Sequence, residues 1–336
     1  MKFWDKTVLA VLMKYDYCKI KRGISGDKVF FFDSLEKLVT RIIPFWYDDY
    51  LKNLKDLQAE VIINVKKLKP DLVFFAPYTN QFTIDTLDLI KEICPTFAWF
   101  GDDQWRFDNY SSKYAPHYTY ISTTDPWSVS KYKQIGITPI LTQWAARPYS
   151  DVIGPIAEGE KYEHTLSFVG GYNTYRSWFI KQIIKYGFDV ECFGVGWPNG
   201  RISFEEMGNV FRKTKINLNI SNSINHDIRF IRASLKNLGK YLSTQKNSEQ
   251  MKARNFEIPL SGGFELTNYV VGLERYFRIG DEVAVYGTIE ECIKQIIYYL
   301  ENDDERRKIA ERGHQRTKSE HTIYKRLEDI LEAIWG

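Results

Sequence analysis

Hydrophobic and polar positions follow two alternating periods along this chain of 336 residues. Short apolar runs at residues 7–13, 71–76, 96–100, 118–122 and 139–143 have the look of strands buried on both faces of a parallel sheet. Between them a 3.6-residue periodicity predicts helices at 47–68, 84–93 and 127–134, and a β-rich run at 28–32 predicts one more strand. The stretch 145–160 carries two prolines, two glycines and little periodicity, and so reads as a linker. The pattern then restarts, with strands at 166–169, 190–193, 216–220, 264–267 and 282–286, and helices at 175–186, 204–212, 289–301, 304–317 and 322–334. Such alternation predicts an α/β protein of two Rossmann-like domains, 1–148 and 149–320, with a last helix in 321–336.

Composition changes this picture little. With 44% hydrophobic and 26% charged residues the chain has ample core material, and its length suits two domains. A formal net charge of +3 is too small to argue for nucleic acid, so any anion binding must be local. Cys18, Cys94, Cys192 and Cys292 are scattered, which fits a reducing compartment and speaks against a zinc site or a disulfide framework. The apolar stretch 8–13 is too short for a signal peptide, and no run reaches the roughly 18–20 apolar residues of a membrane span. The expectation is a cytoplasmic protein. Phe45, Trp46, Tyr47 and Tyr50 with Lys52 and Lys55 suggest an amphipathic helix for the inner face of a membrane; the alternative is a helix whose aromatics pack on its own sheet.

Several segments carry candidate chemistry. Gly170-Gly171 lies between a strand and a helix whose first turn holds Arg176, where free N–H groups and a cation suit a diphosphate; a tight connection with a surface arginine is the alternative. Gly194-Val-Gly196-Trp197 offers open backbone and an indole face for a nucleobase, or else a turn with its tryptophan folded on the core. Asn219, Asn222 and Asn225 follow a strand. After them Arg229, Arg232, Lys236 and Lys240 recur at spacings that place four cations along one helical face, either solvated or with Arg229 or Arg232 reaching a diphosphate. Asp102 and Asp103, flanked by Trp99 and Trp105 at the end of a strand, suit a general base or a site for sugar hydroxyls. Finally, Glu249 and Glu257 stand seven residues apart with Arg254 between them, and Gly262-Gly263 follow, a pair that lets backbone approach a ligand.

The run 249–264, in which Arg254-Asn-Phe-Glu257-Ile-Pro leads to Gly262-Gly263-Phe264, resembles glycosyltransferases of the GT-B fold. It is most similar to the group 1 and spore-maturation-protein-like branch. The resemblance implies two Rossmann-like domains facing a central cleft, with Glu257 on the ribose hydroxyls, Glu249 near the donor sugar and Arg254 on phosphate. Phe168-Val-Gly170 and Gly194-Val-Gly196-Trp197 fit the same family, as does the aromatic–Asp102-Asp103–aromatic segment, expected to touch the acceptor. Arg147 stands where the family usually has an aspartate. Glu320-His321-Thr322 matches the start of a last helix that crosses back onto the first domain, with His321 structural. The likeness covers residue 168 to the end well and the first domain only in topology. It implies transfer of a sugar from a nucleotide-sugar donor to a hydroxyl of a glycan, a lipid-linked saccharide or a protein. With no Asp-x-Asp motif, no metal and no other cofactor are expected. Two other readings stay open: a nucleotide-sugar 2-epimerase, for which His117 is the one histidine of the first domain, and a non-catalytic two-lobed binding protein.

Overall fold

The structure, a computed structural model, describes residues 2–148, 154–221, 227–244, 246 and 248–336. It divides into two compact units, Met1–Arg147 with Ile323–Gly336, and Pro148–Thr322. In the first, β1 (Trp4–Leu12), β2 (Val39–Trp46), β3 (Leu72–Phe75), β4 (Thr96–Phe100), β5 (Tyr120–Thr123) and β6 (Ile140–Leu141) form one parallel sheet in the order β2-β1-β3-β4-β5-β6. Helices α1 (Leu54–Leu68), α2 (Ile84–Ile93), α3 (Asp103–Arg106) and α4 (Ser128–Gln134) connect them. α1 starts where Asn53 accepts hydrogen bonds from the amides of Lys55 and Asp56, and stops at Lys69, left-handed with φ 45° and followed by Pro70. Its Leu57, Val61 and Val65 are spaced to share one face and are buried against Leu9, Val11, Val73 and Phe75, worth about 1.5–3 kcal/mol each.

Two expectations fail here. Residues 28–32 are helical, because Phe30 and Phe31 bury together and Phe31 packs on Phe74 and Trp99 with ring centres 5.4 and 5.0 Å apart. The partner of β1 is instead Val39–Trp46, and helix α1 begins at residue 54, not 47. The strand signal of this segment is broken by Arg41 and Pro44, which an edge strand such as β2 tolerates. Phe45 and Tyr47 are buried, and Tyr50 stacks on Phe45 at 5.2 Å. The aromatic group therefore packs on its own sheet, one of the two readings of this segment, although from a strand and a short turn and not from an amphipathic helix. The terminal helix, Ile323–Trp335, packs in this first unit: Ile323, Leu327, Ile330 and Leu331 are buried, and the Ile323 amide donates to the Ala146 carbonyl at 2.7 Å.

The second unit has β7 (His164–Val169), β8 (Glu191–Phe193), β9 (Thr214–Asn219), β10 (Glu265–Asn268) and β11 (Ala284–Tyr286), parallel in the order β11-β10-β9-β7-β8. Its helices are α5 (Thr174–Lys185), α6 (Phe204–Arg212), α7 (Ile228–Arg232), α8 (Leu235–Ser243), α9 (Arg254–Leu260), α10 (Ile289–Glu301) and α11 (Asp303–Glu320). The strand order reverses between β7 and β9, so the carboxyl ends of these two strands flank the switch point where ligands bind in open sheets. The single four-cation helix expected at 229–240 is interrupted: Ser234 is extended and accepts from the Asn237 amide, ending α7 and capping α8.

Gly262 and Gly263 precede β10 and so lie at the amino end of that strand, away from the ligand end. Gly262 has φ 77°, and a Cβ there would collide with the backbone of Gly154 and Pro155; at Gly263 a Cβ would meet the Phe211 carbonyl and the Asn217 amide. The pair exists for chain-on-chain packing, which corrects the expectation that it approaches a ligand. Gly262→Ala should lower stability by roughly 1–3 kcal/mol from backbone strain alone. The check is the urea midpoint followed by circular dichroism; an unchanged midpoint contradicts the packing account.

Candidate active site

At the switch point β7 runs into Gly170-Gly171, and the turn is enclosed by its neighbours. The Gly170 amide donates to the Phe193 carbonyl at 2.8 Å, and the Trp197 indole donates to the Gly170 carbonyl at 2.8 Å. Gly194, with φ 131°, sits so close to Gly170 that a Cβ would overlap its carbonyl. Gly196, with φ 90°, lies against Tyr172. Trp197 is half-buried and packs edge-on with Tyr172 and Phe168 at 5.1 and 5.9 Å. The indole N–H and much of the ring are thus spent on the glycine turn. The nucleobase platform expected at Gly194, Gly196 and Trp197 becomes a brace for Gly170.

Arg176 has a comparable fate. Its guanidinium donates to the carbonyls of Ile220 and Gly171, both at 2.9 Å, and of Ser221 at 3.3 Å. It straps the ends of β7 and β9 together, a use the alternative of a surface arginine did not include. The cation turned toward Gly170 is Arg254 instead: a Cβ on Gly170 would come within 2.5 Å of its Nη1. Arg254 opens α9, and its Nε donates to Asn219 Oδ1 at 3.4 Å. Its pKa is pushed down by burial, while Glu257 and Glu265 act in the opposite direction.

Glu257 lies one turn along α9 from Arg254 and is 4% exposed. Its carboxylate has no hydrogen-bond donor among the described residues, and burial raises it to about 7 against the pull of Arg254. Glu265, unforeseen in the sequence, is 1% exposed. Its Oε1 accepts from Asn219 at 2.8 Å and from Asn255 at 3.0 Å, and burial raises it to about 8 despite both amides and Arg254. The available signal was chemical: an acid opening a strand that should otherwise be apolar.

Beside this cluster a cavity of about 310 Å³ opens at the carboxyl ends of β9, β10 and β11. Glu249 lines it, together with Asn268, Arg229, Tyr175, Tyr286 and Thr288. Asn268, also unforeseen, accepts from the Ser221 amide and hydroxyl at 2.9 and 2.8 Å and donates to Glu249. Arg229 is paired with Asp227 at 2.7 Å and with Glu290, and both acids raise its pKa. Asn222 and Asn225 lie outside the described residues.

In the first unit Asp102 and Asp103 follow β4 as expected, but they differ. Asp103 is 2% exposed and accepts from the Tyr132 hydroxyl at 2.9 Å. Burial raises it to about 6, partly offset by hydrogen bonds from Ser111, Thr123 and Tyr132. Asp102 remains half-exposed. Trp99 does not offer a face to sugar: it is buried between Phe31 and Trp144. At the same sheet end Tyr17 and Cys18 hold left-handed backbone, φ 50° and 57°, and Tyr17 lies edge-on to Tyr78 at 6.0 Å with Arg22 over its ring. The Asp48 carboxylate holds this loop by accepting from the amides of Lys14 and Tyr15, both at 2.9 Å. Arg147 faces Asp33 at 3.7 Å, and His321 bonds the Tyr276 carbonyl at 2.8 Å within an aromatic nest, a structural position. His117 pairs with Asp88 at 2.7 Å and precedes β5, at the sheet end opposite Asp102. Among the described residues no three His, Cys, Asp or Glu side chains converge as a metal site.

A family model described as glycosyl transferase-like matches residues 176–332. Solved structures share the fold over the full chain. Sucrose-phosphate synthase from Thermosynechococcus elongatus aligns with TM-score 0.64 and 7% identity over 98% of this chain and 99% of that one. A chain described as a UDP-N-acetylglucosamine 2-epimerase from Listeria monocytogenes gives 0.55 and 11% over 98% and 96%. The Anabaena protein HepE, solved with UDP and glucose, gives 0.61 and 10% over 98% and 99%. No curated protein matches the chain in sequence. Residues 176–332 thus match a glycosyl transferase-like family, on a chain with the GT-B fold.

Because Glu265 is neutral in the folded protein to about pH 8 but ionises near 4.5 when unfolded, folding takes up a proton between these values. Its contribution to stability is full below about pH 4.5 and is lost as pH rises through about 8. Glu265→Gln should therefore flatten the fall of the melting temperature between pH 5 and pH 9. Parallel slopes for the two proteins in thermal scans contradict the assignment.

Proposed function

We propose that the second unit holds the donor at the Gly170 turn, with Arg254 on the diphosphate, Glu257 on the ribose hydroxyls and Glu249 beside the sugar. The observation that carries this is Glu257: a carboxylate sunk at the ligand end of the sheet, next to a cation, with no donor among the described residues. A sugar diol supplies two donors at once, and charge-assisted hydrogen bonds in such a place are the strong kind. Departure of a nucleoside diphosphate needs positive charge at its phosphates, and Arg254 lies against the glycine turn where they would rest. No divalent ion is required in this scheme. UDP is the first nucleotide to test, because HepE was solved with it.

The acceptor, a glycan, a lipid-linked saccharide or a protein hydroxyl, is assigned to the first unit, with Asp102 as the acid that meets it. Asp103, bonded to Tyr132 and buried, is positioned to hold its surroundings in place and not to take the proton. The epimerase reading loses its histidine, since His117 sits at the far end of its sheet.

Glu257→Ala should weaken UDP binding by on the order of 1.5–3 kcal/mol for each hydrogen bond lost, tenfold or more in Kd, while the protein stays folded. Calorimetric titration in EDTA reads both points: wild-type binding there supports a metal-free site, and equal affinity of the variant sinks the ribose role. With donor and acceptor in hand, Asp102→Asn should lower kcat by roughly 10²–10⁴-fold at unchanged donor affinity if the acid is the base. Damage confined to the acceptor KM instead identifies a binding role.

A further inference from the structure

Helix α8 stands on the second unit in an unusual way. Among the described residues one narrow side of it is seated: Asn237 is buried and donates to the Phe230 carbonyl at 3.0 Å, and Tyr241 beside it is half-buried. The opposite side presents leucines. Leu235 is 88% exposed, Leu242 73% and Leu238 39%, and Ile228 at the start of α7 is 60% exposed. At 100° per residue the three leucines fall within about 60° of one another on the helix, while Lys236 and Lys240 share a separate, more polar arc. Single exposed apolar side chains are ordinary, but three on one arc of a nine-residue helix are a patch.

The charge around this patch has one sign. From residue 228 to 248 the sequence holds Arg229, Arg232, Lys236, Lys240 and Lys246 and no acid at all, in a chain whose net charge is only +3. Arg229 is engaged with Asp227 and Glu290; Arg232, Lys236 and Lys240 are exposed along the leucine patch. A solvated basic helix has no use for exposed leucines, and a protein-binding helix has no need to exclude every acid. Leucines that enter the acyl boundary with lysines at the level of the headgroups satisfy both features.

We propose that α7 and α8 dock the protein on an anionic lipid surface, Leu235, Leu238 and Leu242 entering the interface while Arg232, Lys236 and Lys240 meet the headgroups. This element lies in the second unit, far in sequence from the aromatic segment at 45–50 that the fold has already placed in its own core. The proposal does not depend on the sugar chemistry.

The test is sedimentation of the full-length protein with vesicles of phosphatidylcholine alone or mixed with phosphatidylglycerol, at low and at high salt. Binding to the mixed vesicles that fades with salt and is weak on phosphatidylcholine alone is expected. Leu235→Ser with Leu242→Ser, and separately Lys236→Glu with Lys240→Glu, should each weaken it on the order of tenfold. Because these side chains are exposed, both variants should melt as wild type, which keeps the comparison clean. No binding of wild type to anionic vesicles, or equal binding by either double variant, overturns the proposal. So does light scattering that shows a wild-type dimer which the leucine variant breaks, since a second copy then covers the patch.

Discussion

Everything at the ligand end of the second sheet is arranged around one guanidinium. Withdrawing the Arg254 charge from water is costly unless partners replace the lost hydration, and the chain supplies Asn219, Glu257 and Glu265 for this. Asn255 and Asn219 in turn hold Glu265, so that three consecutive layers of polar side chains fix the place of one cation. A Cβ at position 170 would press on this guanidinium, so the glycine leaves the cation its place beside the turn. The turn, its brace at Trp197 and the Arg176 strap keep the backbone still where the diphosphate is proposed to rest.

This arrangement sorts the glycines and arginines by task. Gly170 and Gly194 are demanded by close approach near the ligand end, whereas Gly262 and Gly263 are demanded by packing at the other end of the sheet. Arg176 satisfies three carbonyls that end two strands, which no longer leaves it as a phosphate ligand of first choice; Arg254 has acids and an amide around it and faces the turn. The two first-unit acids divide in the same manner. The buried Asp103 carboxylate is bonded to a tyrosine, whereas its neighbour Asp102 stays half-exposed.

Exposure sorts the aromatic and aliphatic side chains as well. Phe45, Tyr47 and Trp99 look from composition like surface or sugar-binding groups, yet each is spent on the first core. Three leucines of α8, which look like core residues by type, are left outside because the helix is seated through Asn237. Residue type alone therefore misassigns both sets, and only their neighbours correct it.

The alternation of apolar runs with helical stretches was enough to give two parallel α/β halves, since both periods are local properties of the chain. The helices Ile84–Ile93, Phe204–Arg212 and Ile289–Glu301 and the strand Thr96–Phe100 have the ends their pattern indicates. The spacing of Arg254 and Glu257 likewise set two charges side by side, because residues one turn apart on a helix share a neighbourhood whatever the rest of the fold does. What the sequence could not disclose is non-local. Strand β2 owes its place to pairing with β1, and the helix at 28–32 to burial of Phe31 on Phe74 and Trp99. Glu265 joins Asn219 across 46 positions, and Gly262 is forced by a backbone more than a hundred residues earlier. Such partners meet only when the sheet has assembled, so tertiary contact decided which of several equally plausible polar residues would line a site and which would hold it up.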